Sequence, residues 1–224
     1  RVTNRTAEEW EALARDEPYF GILTDGGDVD VRASSSASAE FFRTGEEDIA
    51  ALLAAITSVV GRKLPLRAVL DFGCGAGRLT IPLARRAANV VACDVAPTML
   101  LHARRNAEAE GLQNVTYLLA DEAVRLPHGS FDFICSLLVL QYVAPAAGYP
   151  LIAELTRLLA PGGVAALHMM LARAGGDPRA ENAYDERRVQ RSVAAAGGRL
   201  VSRLPLGAGD VLLIDQPAGR TFEA

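Results

Sequence analysis

The sequence predicts an α/β fold: a doubly wound, mostly parallel seven-stranded sheet with an antiparallel C-terminal hairpin and a helical N-terminal cap. Three observations predict it. From Arg67 onward, short apolar runs alternate with helix-length segments. Those runs are apolar almost throughout, as strands of a parallel sheet covered on both faces are. The last two are joined by a short Gly-rich connection, which suits an antiparallel pair better than another crossover. On this reading residues 1–65 are a cap or lid segment of the same domain, and residues 66–224 are its ligand-binding part.

Each element follows in order. Thr6, with Glu9 three residues later and Trp10 and Leu13 beyond, reads as a capping box opening a helix over 6–15. A Gly-, Asp- and Ser-rich run from Thr24 to Ser38 reads as flexible. Ile49, Leu52, Leu53, Ile56 and Val60 share one face of a helix expected over 46–60, which Gly61 ends and Pro65 forbids from resuming. Strands are expected at 68–72, 89–93, 115–119, 131–137 and 164–170, the last following the turn Pro161-Gly162-Gly163. Helices are expected at 78–88, 97–111 and 149–159 between them, then at 184–196. Strands at 199–204 and 211–215 close the chain.

The 224 residues suffice for one large domain with a real core. A net charge of −4 with no arginine cluster argues against a nucleic-acid backbone as partner. No apolar run is long enough to span a membrane. Cys74, Cys93 and Cys135 cannot all pair, and they lack metal-ligand spacing. With no visible signal peptide, these features lead us to expect a reduced, cytoplasmic protein without a metal. The almost exclusive use of arginine over lysine hints at a bacterial source.

The chemistry concentrates in Asp71-Phe72-Gly73-Cys74-Gly75-Ala76-Gly77, a strand running into three closely spaced glycines and then a helix. Such a turn lets a ligand approach the backbone, and the helix start favours a negative group. It does not fit the dinucleotide fingerprint: aligning G-x-G-x-x-G on Gly73 and Gly75 puts Arg78 at the third small position, with the glycine one place early at Gly77. The acid at Asp71 also disfavours a pyrophosphate, whereas a ligand bearing an ammonium group is compatible with it.

Val69 to Gly77, extended by Arg78-Leu79-Thr80, resembles motif I of the class I S-adenosylmethionine-dependent methyltransferases. The similarity continues in order: Cys93-Asp94-Val95 after the second strand, Ala120-Asp121-Glu122-Ala123 after the third, and Leu126-Pro127 leading into the fourth. Ser136 to Tyr142 after the fourth and Pro161-Gly162-Gly163 before the fifth complete it, over residues 67–171. Glu40 to Gly45 is also similar to small-molecule methyltransferases of the type 11 or type 25 kind.

The resemblance implies a Rossmann-like domain and S-adenosylmethionine as cofactor, with S-adenosylhomocysteine as product. It implies a cofactor site at Asp71, Gly73, Cys74, Gly75 and Gly77. Asp94 would accept from the ribose hydroxyls and Asp121 from the adenine amino group, with Val95, Met99 and Ala123 on the ring faces. Glu122, Ser136, Leu137 and Leu138 would complete the cofactor site. Gln141 and Tyr142 would face the acceptor, and Trp10, Tyr19, Phe20 and Phe42 would form a lid. The family's frequent histidine in the Gln141–Tyr142 segment is missing here. Candidate bases are therefore Tyr142 and His168, the latter competing with a purely structural reading. His102 and His128 read as surface residues.

The expected reaction is in-line methyl transfer to oxygen or nitrogen of a small organic acceptor. A nicotinamide-dependent oxidoreductase or epimerase and a non-catalytic S-adenosylmethionine-binding protein remain the alternatives. The short C-terminal hairpin leaves little room for recognising a macromolecule.

Overall fold

A computed structural model describes residues 6–16, 18, 19, 35–172 and 182–219. Seven strands form a mixed sheet of order β3-β2-β1-β4-β5-β7-β6, the fold class expected. The described residues divide into two compact units, one of Thr6–Ala123 and one that begins at Val124.

The Thr6–Ala123 unit holds α1 (Ala7–Asp16), α2 (Ser35–Val60), β1 (Ala68–Phe72), α3 (Thr80–Ala84), β2 (Asn89–Asp94), α4 (Pro97–Ala109), β3 (Val115–Leu119) and α5 (Ala120–Ala123). The helices read as a cap segment thus fall in the same unit as the first three strands. The capping box forms: Thr6 N donates to Glu9 at 2.7 Å and Glu9 N to the Thr6 hydroxyl at 3.3 Å. Helix α2 buries Phe41, Ile49, Leu52 and Ile56, each such side chain worth about 1.5–3 kcal/mol on burial.

Helix α2 starts at Ser35 rather than residue 46. Gly45, one residue before the expected start, lies inside it. A Cβ there would stand 2.1 Å from the carbonyl oxygen of Arg78, so the missing side chain permits helix and turn to touch. Arg43, paired with both Glu40 and Glu47, supports this early part of the helix. Helix α3 is shorter than expected, five residues from Thr80.

Parallel pairing of β1 with β2 and β2 with β3 sets Phe72 beside Cys93 and Asp94 beside Leu119. The carboxyl ends of three strands are therefore level, the edge where open α/β sheets receive ligands.

The Val124–Ala224 unit holds β4 (Phe131–Ser136), a 3₁₀ turn (Leu140–Tyr142), α6 (Pro145–Arg157), β5 (Leu159–Met169), α7 (Glu186–Ala195), β6 (Arg199–Leu206) and β7 (Gly209–Asp215). β4 pairs with β5 in parallel, while β7 runs antiparallel to both β5 and β6. The hairpin is tighter than expected, with Gly207 and Ala208 alone between its strands. Strand β5 begins at Leu159, so Pro161-Gly162-Gly163 lies within the strand, where its register with β4 shifts. Helix α6 opens four residues early because Pro145 occupies its first turn, where a proline costs no hydrogen bond.

Among the described residues no helix is long and apolar enough to cross a membrane. None of their acidic, histidine and cysteine side chains form a group of three that could hold a metal ion.

Candidate cofactor site

The turn after β1 is built from backbone conformations that favour glycine. Gly73, Gly75 and Gly77 have φ of 79°, 51° and 93°. The amides of Gly73 and Cys74 both donate to the carbonyl of Cys93, at 2.8 and 2.9 Å, locking the turn to the end of β2. At Gly77 a Cβ would meet the Cα of Ala103 at 3.3 Å, so α4 closes against the turn.

Asp94 is the hinge of this arrangement. Its Oδ2 accepts from Gly75 N at 2.9 Å and its Oδ1 from Ala96 N at 3.0 Å. Burial pushes its carboxyl above the ordinary value, and the amides of Ala96, Gly75 and Val95 oppose that by favouring the carboxylate. The helix-cap reading and the ligand reading of Asp94 are compatible. A carboxylate offers about four acceptor sites, so three backbone amides still leave it able to accept from a hydroxyl donor. Beside it Val95 is 46% exposed. A carboxylate with spare acceptors next to an exposed apolar side chain suits a ribose carrying a flat base.

Asp71 serves the turn from within. It is 1% exposed and accepts from the Thr80 hydroxyl at 2.6 Å. Burial pushes its carboxyl up to about 6, against the Thr80 hydrogen bond and the nearby Arg78 charge, with Asp94 adding a further push upward. Arg78, 4% exposed, ion-pairs with Asp48 of α2 at 2.6 Å. The helix-start contribution expected for this turn is corrected: with α3 beginning at Thr80 and only five residues long, its dipole is small and lies beyond the glycines.

The other expected positions sort clearly. Asp121 is exposed at the start of α5, two residues beyond Leu119, which pairs with Asp94. Glu122 accepts from Leu119 N at 2.8 Å, half of a capping box, and so shapes this turn. Ala123 is fully buried. Met99 packs with Ala14 and Ala96, and Trp10 lies against that cluster, so α1 crosses the start of α4. Cys74 and Cys93 are buried free thiols whose pKa values burial raises, which keeps them protonated and poor nucleophiles. Cys135 is likewise buried and forms no disulfide.

Tyr19 sits edge-on to Phe41 and Phe42, with centroids at 5.2 and 6.3 Å. Its hydroxyl donates to Asn106 at 3.4 Å, and Asn106 in turn donates to the carbonyl of Ala76 in the glycine turn at 2.9 Å. The aromatic group thus connects to the turn through Asn106. Phe20 lies outside the described residues.

Sequence reasoning missed Glu11, whose carboxylate accepts from Thr98 N at 3.0 Å and from the Thr98 hydroxyl at 2.5 Å. Ala96 precedes α4 without a side-chain cap, and Glu11 supplies one from another helix. Arg78–Asp48 and Asn106 were missed too. These partners lie 30 to 87 positions apart, and no local spacing signals such pairs. His102 contacts the carbonyl of Ala14 at 3.2 Å, so it helps seat α1 rather than standing at the surface.

In the Val124–Ala224 unit, Ser136 and Leu137 are buried, and Leu138, Gln141 and Tyr142 are partly buried. His168 is 2% exposed and engaged on both ring nitrogens: Leu138 N donates to Nδ1 at 3.3 Å, and Nε2 lies 3.3 Å from the carbonyl of Leu206. The candidate base role for His168 is therefore corrected to a structural one, because a base needs a nitrogen facing its substrate.

Residues 69–163 match the family model for the methyltransferase domain. That stretch, less than half of the chain, is therefore similar to the methyltransferase-domain family. The ubiquinone biosynthesis O-methyltransferase of Methylocella silvestris is 40% identical over 96 residues, 43% of this chain and 37% of that protein. The demethylmenaquinone methyltransferase of Thermus thermophilus is 43% identical over 104 residues, 45% and 46% of the two chains. The chain therefore spans less than half the length of these two relatives. A solved S-adenosylmethionine-dependent methyltransferase from Aquifex aeolicus aligns with a TM-score of 0.53 at 25% identity, over 68% of this chain and 84% of that one. These likenesses bear out the resemblance to the class I methyltransferases.

Proposed function

We propose that this protein transfers a methyl group from S-adenosylmethionine to oxygen or nitrogen of a small organic acceptor, in a cytoplasmic setting. The observation that carries the reading is Asp94, tied through its two oxygens to the glycine turn and to the start of α4, with exposed Val95 beside it. The names of the two bacterial relatives, a ubiquinone biosynthesis O-methyltransferase and a demethylmenaquinone methyltransferase, support a small acceptor.

When bound, the cofactor supplies an already activated methyl group on a sulfonium. What remains for the chain is to bind, orient and exclude water. Asp94 and Asp121 would hold the ribose and adenine, Val95 would cover a ring face, and the glycine turn would admit the amino-acid end close to the backbone. Asp71 steadies that turn from within by accepting from the Thr80 hydroxyl. Orientation of two bound reactants supplies about 7–11 kcal/mol of a barrier of this kind. Tyr142 remains the candidate to take a proton from a hydroxyl acceptor, whereas an amine bound neutral needs none.

The experiment is incubation with methyl-labelled S-adenosylmethionine and a panel of small phenols, carboxylic acids and amines. Label transferred to one class names the acceptor chemistry. Cofactor binding without transfer to any of them would favour a non-catalytic binding protein.

A further inference from the structure

Three buried side chains of the Val124–Ala224 unit converge on one short piece of backbone, residues 138–143. Leu138 has φ of 61°, a left-handed conformation that a non-glycine residue adopts only when its surroundings impose it. Its N–H donates to Nδ1 of His168. Because Nδ1 accepts, the ring proton belongs on Nε2, which then donates to the carbonyl of Leu206. Gly209 makes room for this ring, since a Cβ there would stand 2.6 Å from Nε2.

The other end of the stretch is held from the segment before α7. The Tyr184 hydroxyl donates to the carbonyl of Val143 at 2.8 Å, with the carbonyl of Leu140 at 3.2 Å sharing the same proton. Asn182 Nδ2 donates to the carbonyl of Gln141 at 2.9 Å. Tyr184 is fully buried and Asn182 is 2% exposed. Gly148 of α6 opens the slot for the phenol: a Cβ there would lie 2.0 Å from its hydroxyl oxygen. Between these anchors the chain makes its 3₁₀ turn and presents Gln141 and Tyr142, both partly exposed. This turn follows the carboxyl end of β4, and His168 lies near the carboxyl end of β5.

We propose that His168, Asn182 and Tyr184 are positioning residues for the acceptor: they fix the strained turn so that Gln141 and Tyr142 meet the acceptor in one arrangement. The proposal rests on the methyltransferase reading above. A strained conformation held by side chains from distant segments is a mark of pre-organisation, and misplacement by 1 Å costs a reaction about 10²-fold.

The test compares Tyr184→Phe, Asn182→Ala, His168→Leu and His168→Asn in the full chain. Amide exchange over residues 138–143, S-adenosylhomocysteine affinity, and kcat and KM for the acceptor found in the panel are measured for each. Tyr184→Phe, Asn182→Ala and His168→Leu should speed exchange about tenfold or more. They should lower kcat/KM about 10- to 100-fold, with kcat falling as well as KM rising, while S-adenosylhomocysteine affinity stays within about twofold of wild type. His168→Asn keeps an acceptor near the Nδ1 position and should restore both exchange protection and most activity.

Unchanged exchange, unchanged kcat/KM, or a loss of activity that tracks a loss of product affinity would overturn the proposal. Should His168→Leu fail to fold, Tyr184→Phe and Asn182→Ala carry the test. A wild-type chain that binds the product but methylates nothing in the panel contradicts the catalytic reading, and with it the acceptor role. Exchange then reports separately whether the three side chains hold the turn.

Discussion

The amide of Gly75 donates to Oδ2 of Asp94 at 2.9 Å, so the glycine turn after β1 and the acid ending β2 form one structural unit. The other oxygen of Asp94 holds the amide of Ala96, ahead of α4. Asp94→Asn places an NH₂ against one of these two amides and cannot satisfy both. Hydrogen exchange should show the Gly75 and Ala96 amides opening faster, while amides in the centre of β1 stay protected.

Asp71 gives the fold a pH dependence. Its carboxyl, pushed up to about 6 by burial from an ordinary 3.8, binds its proton more tightly folded than unfolded. The folded state then carries the extra proton between those values, so this group makes stability fall as pH rises from about 4 to about 6 and level off above. Asp71→Asn keeps an oxygen for Thr80 and removes the buried charge. Thermal unfolding should show that slope lost and the variant more stable at pH 7, by up to about 3 kcal/mol.

Glu11 caps a helix to which it does not belong. Glu11→Ala leaves the Thr98 amide at the start of α4 without its acceptor, and loss of such a cap costs about 0.5–2 kcal/mol. Hydrogen bonds from Thr98 hold the Glu11 carboxyl below the ordinary value. Its contribution should be full near neutral pH and vanish as pH falls through that lowered value. Denaturant unfolding across a pH series should therefore show the gap between wild type and variant widest near pH 7 and narrowing as pH falls below the ordinary carboxylate range.

Gly45→Ala tests how α2 meets the cofactor turn. The added methyl would stand 2.1 Å from a backbone oxygen that has no flexible end to move. Despite better helix propensity for alanine, the variant should lose about 1–3 kcal/mol of stability in denaturant unfolding. The Arg78–Asp48 pair should loosen with it.

What could be read in the sequence was local or periodic. Thr6 and Glu9 announce their own cap, the apolar runs at 68–72 and 89–93 announce buried parallel strands, and Asp94 follows Gly77 by one helix plus one strand. Glycine and proline misled where they serve packing. Gly45 and Gly148 fall just before the helices expected at 46–60 and 149–159, yet each sits inside a helix, where Arg78 O or the Tyr184 hydroxyl occupies the space of its Cβ. His168 was legible as a residue near the sheet's carboxyl edge. Its partners, Leu138 and Leu206, lie 30 and 38 positions away, so its structural role was not.

Calorimetric titration with S-adenosylhomocysteine, run beside NAD(H), tests the cofactor assignment most directly. The wild-type chain should bind S-adenosylhomocysteine and ignore NAD(H), and folded Asp94→Ala should lose about 1.5–3 kcal/mol of that affinity. Tight NAD(H) binding with no response to S-adenosylhomocysteine, or unchanged affinity in folded Asp94→Ala, would contradict it.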